Sequence, residues 1–138
     1  MTDLTADSVR VALVTGASRG IGRAIALALA DHGYLVIGTA TSDAGAEAIG
    51  QALAVMPVAG HGLCLNVNEP GACETAVADI VKRHGRLDVL VNNAGITRDN
   101  LALRMKDEEW QDVIDTNLSA AFRLDRAVLK PMVKARWG

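Results

Sequence analysis

The chain has 138 residues with 14 basic and 16 acidic side chains, a formal net charge of -2. Half of the residues are apolar and 22% are charged, which excludes a disordered or fibrous chain and fits one ordinary domain. Aromatics are only 3% (Tyr34, Trp110, Phe122 and Trp137), so the core must be built from Ala, Val, Leu and Ile, with too few rings to stack single-stranded nucleic acid. The near-neutral balance argues against a general nucleic-acid or membrane binder, and no apolar run reaches the roughly 18 residues of a membrane span. The first ten residues, MTDLTADSVR, carry two acids and no apolar stretch, unlike a secretory signal. Cys64 and Cys73 make no disulfide framework and are read as reduced thiols of a cytoplasmic protein.

Strand and helix patterns alternate along the chain. Residues 9–14 (VRVALV) form a short apolar, β-branched run, as expected for a strand buried on both faces. A glycine-rich loop follows, then a helix over 21–32 that stops at Gly33. Residues 34–39 (YLVIGT) read as the second strand, 43–54 as a helix, 55–60 as a loop and 62–67 (GLCLNV) as the third strand. A helix is expected over 69–84, capped by Asn68, with Pro70 in its first turn and Gly85 as its stop. Residues 87–91 read as the fourth strand, and 107–116 and 118–136 as two further helices, the second kinked or split at Pro131. This order predicts an α/β fold, a doubly wound parallel sheet of Rossmann type with four strands in the order 3-2-1-4 and a ligand crevice beyond the strand C-termini.

The first loop reads Thr15-Gly16-Ala17-Ser18-Arg19-Gly20-Ile21-Gly22. Its glycine spacing is neither the common G-x-G-x-x-G nor a Walker loop. The physics is still that of a phosphate cradle: glycines allow close backbone approach, and the helix start offers free N–H groups and a positive dipole end. An NAD site usually carries an acid about 20 residues beyond such a loop to bind the ribose 2′-OH. Here the second strand ends Gly38-Thr39-Ala40-Thr41-Ser42, with no acid before Asp43. A cation, Arg19, together with hydroxyls suits a 2′-phosphate, which favours NADP(H); the plainer alternative makes Arg19 a solvated loop charge.

The loop from Thr15 to Gly22, together with Asn92-Asn93-Ala94-Gly95 after the fourth strand, resembles the short-chain dehydrogenase/reductase family. The longer stretches 12–25, 92–100 and 104–110 are similar to the branch that reduces 3-oxoacyl thioesters on acyl carrier protein in fatty acid synthesis. The resemblance covers the chain but only the N-terminal half of such an enzyme, so residues 1–138 are read as the first half of a single NADP-binding Rossmann domain. It implies that Gly16, Ser18, Arg19, Gly20, Ile21 and Gly22 surround the pyrophosphate and adenosine ribose. It places Thr41 at the 2′-phosphate, Asn66 and Val67 beside the adenine, and Asn93, Ala94 and Gly95 along the central part of the cofactor. Many relatives carry Asp where Asn66 stands. Thr15 and Asn92 would brace the loop and the fourth strand. Asn117 is the one catalytic residue it places in this chain, distorting its helix and positioning a water in a proton relay to a catalytic Lys. The implied complete protein is a cytoplasmic homotetramer whose partner is acyl carrier protein.

Asn117 also stands out without the family, because Trp110, Val113, Ile114 and Asn117 share one helix face, which predicts a buried amide that needs partners. The alternative is a structural Asn ending one helix before Leu118. The family's Ser and Tyr-x-x-x-Lys are missing: the only Tyr is Tyr34, with Gly38 four residues on. The fourth strand would then have a bare outer edge, and the last helix little to pack on. A reductase for another carbonyl, or a non-catalytic NADP-binding module, would share these motifs. Arg123, Arg126, Lys130 and Lys134 lie on one helix stripe, either a solvated face or a docking surface for the acidic carrier. Cys64 is expected in the core and Cys73 partly exposed; His32, His61 and His84 lack metal-ligand spacing, and no metal site is read.

Overall fold

The computed structural model describes residues 9–138; the reading of the N-terminus as no secretory signal rests mainly on residues 1–8, which lie outside the described residues. Strands β1 (Val11–Val14), β2 (Leu35–Ala40), β3 (His61–Cys64) and β4 (Val89–Val91) form one parallel sheet in the order β3-β2-β1-β4. Helices α1 (Gly20–Asp31), α2 (Asp43–Ala54), α3 (Ala72–His84), α4 (Asp107–Ile114) and α5 (Ala120–Ala135) complete the chain. The registers Val14↔Val91 and Ala40↔Cys64 end β1 level with β4 and β2 level with β3, and Val14↔Gly38 shows that β2 and β3 run two residues further.

β1 is the centre of the sheet, and its residues are at most 2% exposed, so alternate side chains feed two separate cores. Val11, Leu13 and Ile37 pack with Val77 and Ile80 of α3 and Leu124 and Val128 of α5. Ala12, Val14 and Val36 pack with Ala26 and Ala30 of α1 and Ile49 and Leu53 of α2. The chain therefore winds β1-α1-β2-α2-β3 on one face, crosses over through α3, and lays β4 on the other side of β1. That reversal beside β1 is the switch point where a doubly wound sheet opens a crevice.

Several local expectations change. α3 begins at Ala72, not at 69, and its N-cap is Gly71 in the left-handed region with φ 77. Asn68 is not the cap, because its side-chain amide donates to Thr116 Oγ1 at 2.7 Å and its N–H is bonded to Asn66 Oδ1 at 3.0 Å. The two last helices are one helical run, joined by a π-helical turn at Asp115–Ser119. α5 continues unbroken through Pro131, and it is not short of packing, since Ala120, Leu124 and Val128 are buried in the α3 core. The cysteines exchange roles: Cys64 ends the edge strand and is exposed, whereas Cys73 is 1% exposed with Sγ 3.5 Å from the Val67 carbonyl. Trp110 and Asn117 are exposed, so the face they share is not a buried one. The basic stripe is interrupted: Arg126 pairs with Glu74 at 3.6 Å and Arg123 bonds the Val67 carbonyl at 3.4 Å. β4 stands at the sheet edge, paired with β1.

Candidate functional site

All four strand ends open into one cleft of about 720 Å3. Its walls are the glycine loop after β1, Thr39 to Thr41 at the end of β2, Leu65 to Asn68 after β3, and Asn93 to Ile96 with Arg98 after β4. Asp112 of α4 and Thr116 of the π turn close one side.

The glycine loop is shaped by two requirements. Gly16 and Gly20 have φ of 64° and 59°, and a Cβ at Gly20 would meet nothing within 4 Å, so this turn faces open space. Gly22 is different: a Cβ there would lie 2.1 Å from the Gly16 carbonyl oxygen and 2.3 Å from Asn93 Nδ2. It stands behind the cleft as a close-approach position and does not line it. α1 starts at Gly20 with Arg19 as an extended N-cap that makes no side-chain cap bond, and its first turn carries no acid. An uncapped helix start directed at a cavity can accept an anion through its backbone donors.

Buried Thr15 ties this loop to the end of β4. Its Oγ1 accepts the N–H groups of Asn93 at 3.1 Å and Ala94 at 3.0 Å, while Asn93 Nδ2 donates to the carbonyls of Thr15 at 3.1 Å and Gly16 at 2.9 Å. Thr39 Oγ1 accepts the Gly16 N–H at 3.3 Å, and the Ala17 N–H reaches the Thr39 carbonyl at 2.8 Å. Asn92 braces the other side, donating to Asp125 of α5 at 2.7 Å.

Beyond Gly95 the chain has no helix or strand until α4 begins at Asp107, and side-chain amides help hold it. Asn117 makes a reciprocal pair with Ile96: the Ile96 N–H donates to Asn117 Oδ1 at 2.8 Å and Asn117 Nδ2 donates to the Ile96 carbonyl at 2.9 Å. The π turn supplies the extra residue that swings Asn117 to this strand-end loop. Asn117 therefore borders a shallower opening shared with Arg19, Gly95 and Arg98, next to the main cleft. Further along, the Lys106 N–H donates to Glu109 at 2.8 Å and, with the Asn100 amide, holds that carboxyl below its ordinary range. Arg98 and Asp112 lie 3.6 Å apart, both well exposed, a pair of little energetic weight.

The structure thus gathers Gly16, Ser18, Arg19, Gly20, Ile21, Thr41, Asn66, Val67, Asn93, Ala94 and Gly95 around one cavity, with Asn117 beside it and Gly22 behind it. The sequence reading missed Thr39, Leu65, Asn68, Ile96, Arg98, Asp112 and Thr116, which also line it. Thr39, Leu65 and Asn68 could have been read from their places at or just beyond strand ends; Ile96, Arg98, Asp112 and Thr116 reach the cleft only through the folding of the 96–116 segment.

Parallel strands in the order 3-2-1-4, a glycine turn onto an uncapped helix and an Asn-Asn-Ala-Gly end to β4 define a recognised class. The chain belongs to the short chain dehydrogenase family, which matches residues 10–138. It is 58% identical over 129 residues to the 3-oxoacyl-(acyl-carrier-protein) reductase FabG of Escherichia coli, covering 94% of this chain and 52% of that protein. Against the reductase of the same name from Pseudomonas aeruginosa it is 55% identical over the same coverage. A solved short-chain dehydrogenase from Streptomyces avermitilis superposes with a TM-score of 0.87 at 37% identity, covering 97% of this chain and 48% of that one. The chain spans about half the length of the curated relatives it matches.

Proposed function

We propose that this chain is the cofactor-binding half of an oxidoreductase that uses NADPH to reduce 3-oxoacyl groups on acyl carrier protein to 3-hydroxyacyl groups. The observation that carries the reading is the exposed cation and hydroxyl at the rim of the cleft, Arg19 and Thr41, with no carboxylate on the β2 end. A dinucleotide fits the residues present, because the uncapped start of α1 offers backbone donors to a pyrophosphate. The cofactor, when bound, supplies a hydride to the 3-keto carbon.

The chain's own residues divide the remaining work. Gly16, Ser18, Gly20 and Ile21 hold the pyrophosphate and ribose, with Gly22 keeping the turn tight behind them. Arg19 and Thr41 hold the 2′-phosphate, Asn66 and Val67 flank the adenine, and Asn93, Ala94 and Gly95 line the middle of the cofactor. Asn117 is held against Ile96 at the edge of the reaction site and orders a water in the proton path. Carbonyl polarisation and proton donation belong to a Ser and a Tyr-x-x-x-Lys outside these 138 residues. Assembly as a homotetramer is supported by the exposed apolar side chains of Phe122, Leu129 and Val133 along α5. A cytoplasmic protein is consistent with the absence, among the described residues, of any helix long and apolar enough to cross a membrane.

Titration of the full-length protein with both cofactors tests the reading. NADPH should bind more tightly than NADH, and Arg19→Ala should cost about 1.5–3 kcal/mol with NADPH and almost nothing with NADH. Equal affinities in the wild type would overturn the cofactor assignment. Asn117→Ala should lower turnover at least about tenfold while leaving NADPH affinity near wild type. Charge reversal at Lys130 and Lys134 should reduce activity on carrier-bound substrate, most strongly at low salt, and spare a small thioester.

A further inference from the structure

His61 is the first residue of β3 and His84 the last of α3. Between them the chain runs up the strand, turns through residues 65–71, which supply Leu65, Asn66, Val67 and Asn68 to the cleft, and returns down the helix. The two rings close the open end of this unit. Their Nε2 atoms are 3.1 Å apart while the ring centroids are 5.4 Å apart at an interplanar angle of 27°, so the nitrogens face each other.

Two facing ring nitrogens at this distance have room for one proton: one donates and the other accepts. An imidazolium carries N–H groups on both nitrogens, so protonating both rings sets two donors and two positive charges head to head. We propose that the His61–His84 contact is a proton-operated latch, closed by a single shared proton at neutral pH and opened when acid protonates both rings.

The surroundings reinforce this. Burial, then the Arg83 guanidinium, pushes the His61 ring below its ordinary value, partly offset by a hydrogen bond with the Gly62 backbone. Burial, then His61 and then Arg83, does the same for His84. The cavity beside His84 has Arg83 and Arg86 as its charged lining residues, with Ala135 of α5 opposite. On the other side, α2 brings Ala46 and Gly50 against Gly62, and Ile37 of β2 is in register with His61, so these contacts add no compensating acid. Arg86 itself is held by Asp88 at 2.7 Å. Because both folded values lie below the ordinary 6.5, the unfolded chain binds more protons in the interval between them. The latch therefore contributes fully above about pH 6.5 and is lost as pH falls through the folded values.

Native-state hydrogen exchange on the full-length protein from pH 7.5 to 5.0, corrected for intrinsic rates, reads the latch directly. Opening at the amides of Gly62 to Cys64 and of the last turn of α3 should increase about fivefold on acidification, the factor of one ordinary hydrogen bond. The double variant His61→Gln/His84→Gln, whose amide pair does not titrate, should show no such increase. Nitrogen-15 shifts of the wild-type rings at neutral pH should show one protonated and one bare Nε2. An equal pH response in wild type and double variant, or two equivalent Nε2 shifts, would overturn the proposal.

Discussion

The two ends of the same four strands are built on opposite terms. At the amino end polar groups close on one another: Asp88, 1% exposed, accepts the Val11 N–H at 2.8 Å and both Arg86 Nε at 2.7 Å and Nη2 at 2.9 Å, and His61 meets His84. At the carboxyl end the polar groups are left facing a cavity: α1 begins without a side-chain cap, and Arg19, Thr41 and Asn66 are exposed at the rim. Buried polar groups are costly unless paired, so the closed end stabilises the sheet. Donors left without an internal partner are available to a ligand, so the open end is suited to bind one. The closed end therefore bears on stability alone, and a substitution there should cost stability without affinity.

The largest expected effect lies at the closed end. Asp88→Ala removes the acceptor of a buried N–H and one ion-pair partner of a two-thirds-buried guanidinium, and should cost about 3 kcal/mol in denaturant unfolding. NADPH affinity of the molecules that remain folded should stay within about twofold of wild type; a parallel loss of affinity would show that the two ends are coupled. Gly22→Ala is the complementary break at the open end. Its Cβ collides with the Gly16 carbonyl and the Asn93 amide, so stability should fall by about 2 kcal/mol and cofactor affinity with it. Unchanged affinity would mean that the turn relaxes away from the cleft without harm. The smallest effect should come from Thr15→Val, which keeps the side chain's shape but strands the N–H groups of Asn93 and Ala94. About 1–2 kcal/mol of stability should go, with local exchange at Asn93 and Ala94 rising ahead of the rest of the sheet.

The sheet order and the glycine loop were legible because both follow from short-range rules. Alternating strand and helix periods with short connections leave few topologies, and a glycine turn before a helix start has one common use. Gly33 and Gly85 follow the helix ends as read, each with its N–H bonded three or four residues back. What failed was decided by partners distant in sequence. Asn68 is a good cap on paper, but its amide is taken by Thr116, 48 residues away, and α3 starts late. Cys64 alternates with two leucines, yet β3 is an edge strand and its end is exposed. Asn117 was placed on a buried face by a 3.6-residue period, and the π turn changes that period at this point.

By itself the sequence determined the α/β class, the strand order and the place of the glycine loop between β1 and α1, since local propensity and chain connectivity carry that information. Only the tertiary structure decided that Gly22 packs behind the cleft, that Thr15 joins two loops, that Asn117 reaches Ile96 and that His61 meets His84. Each of these depends on a second residue at least five positions away, and pairings of that kind are set by how helices settle on a sheet and not by any local pattern.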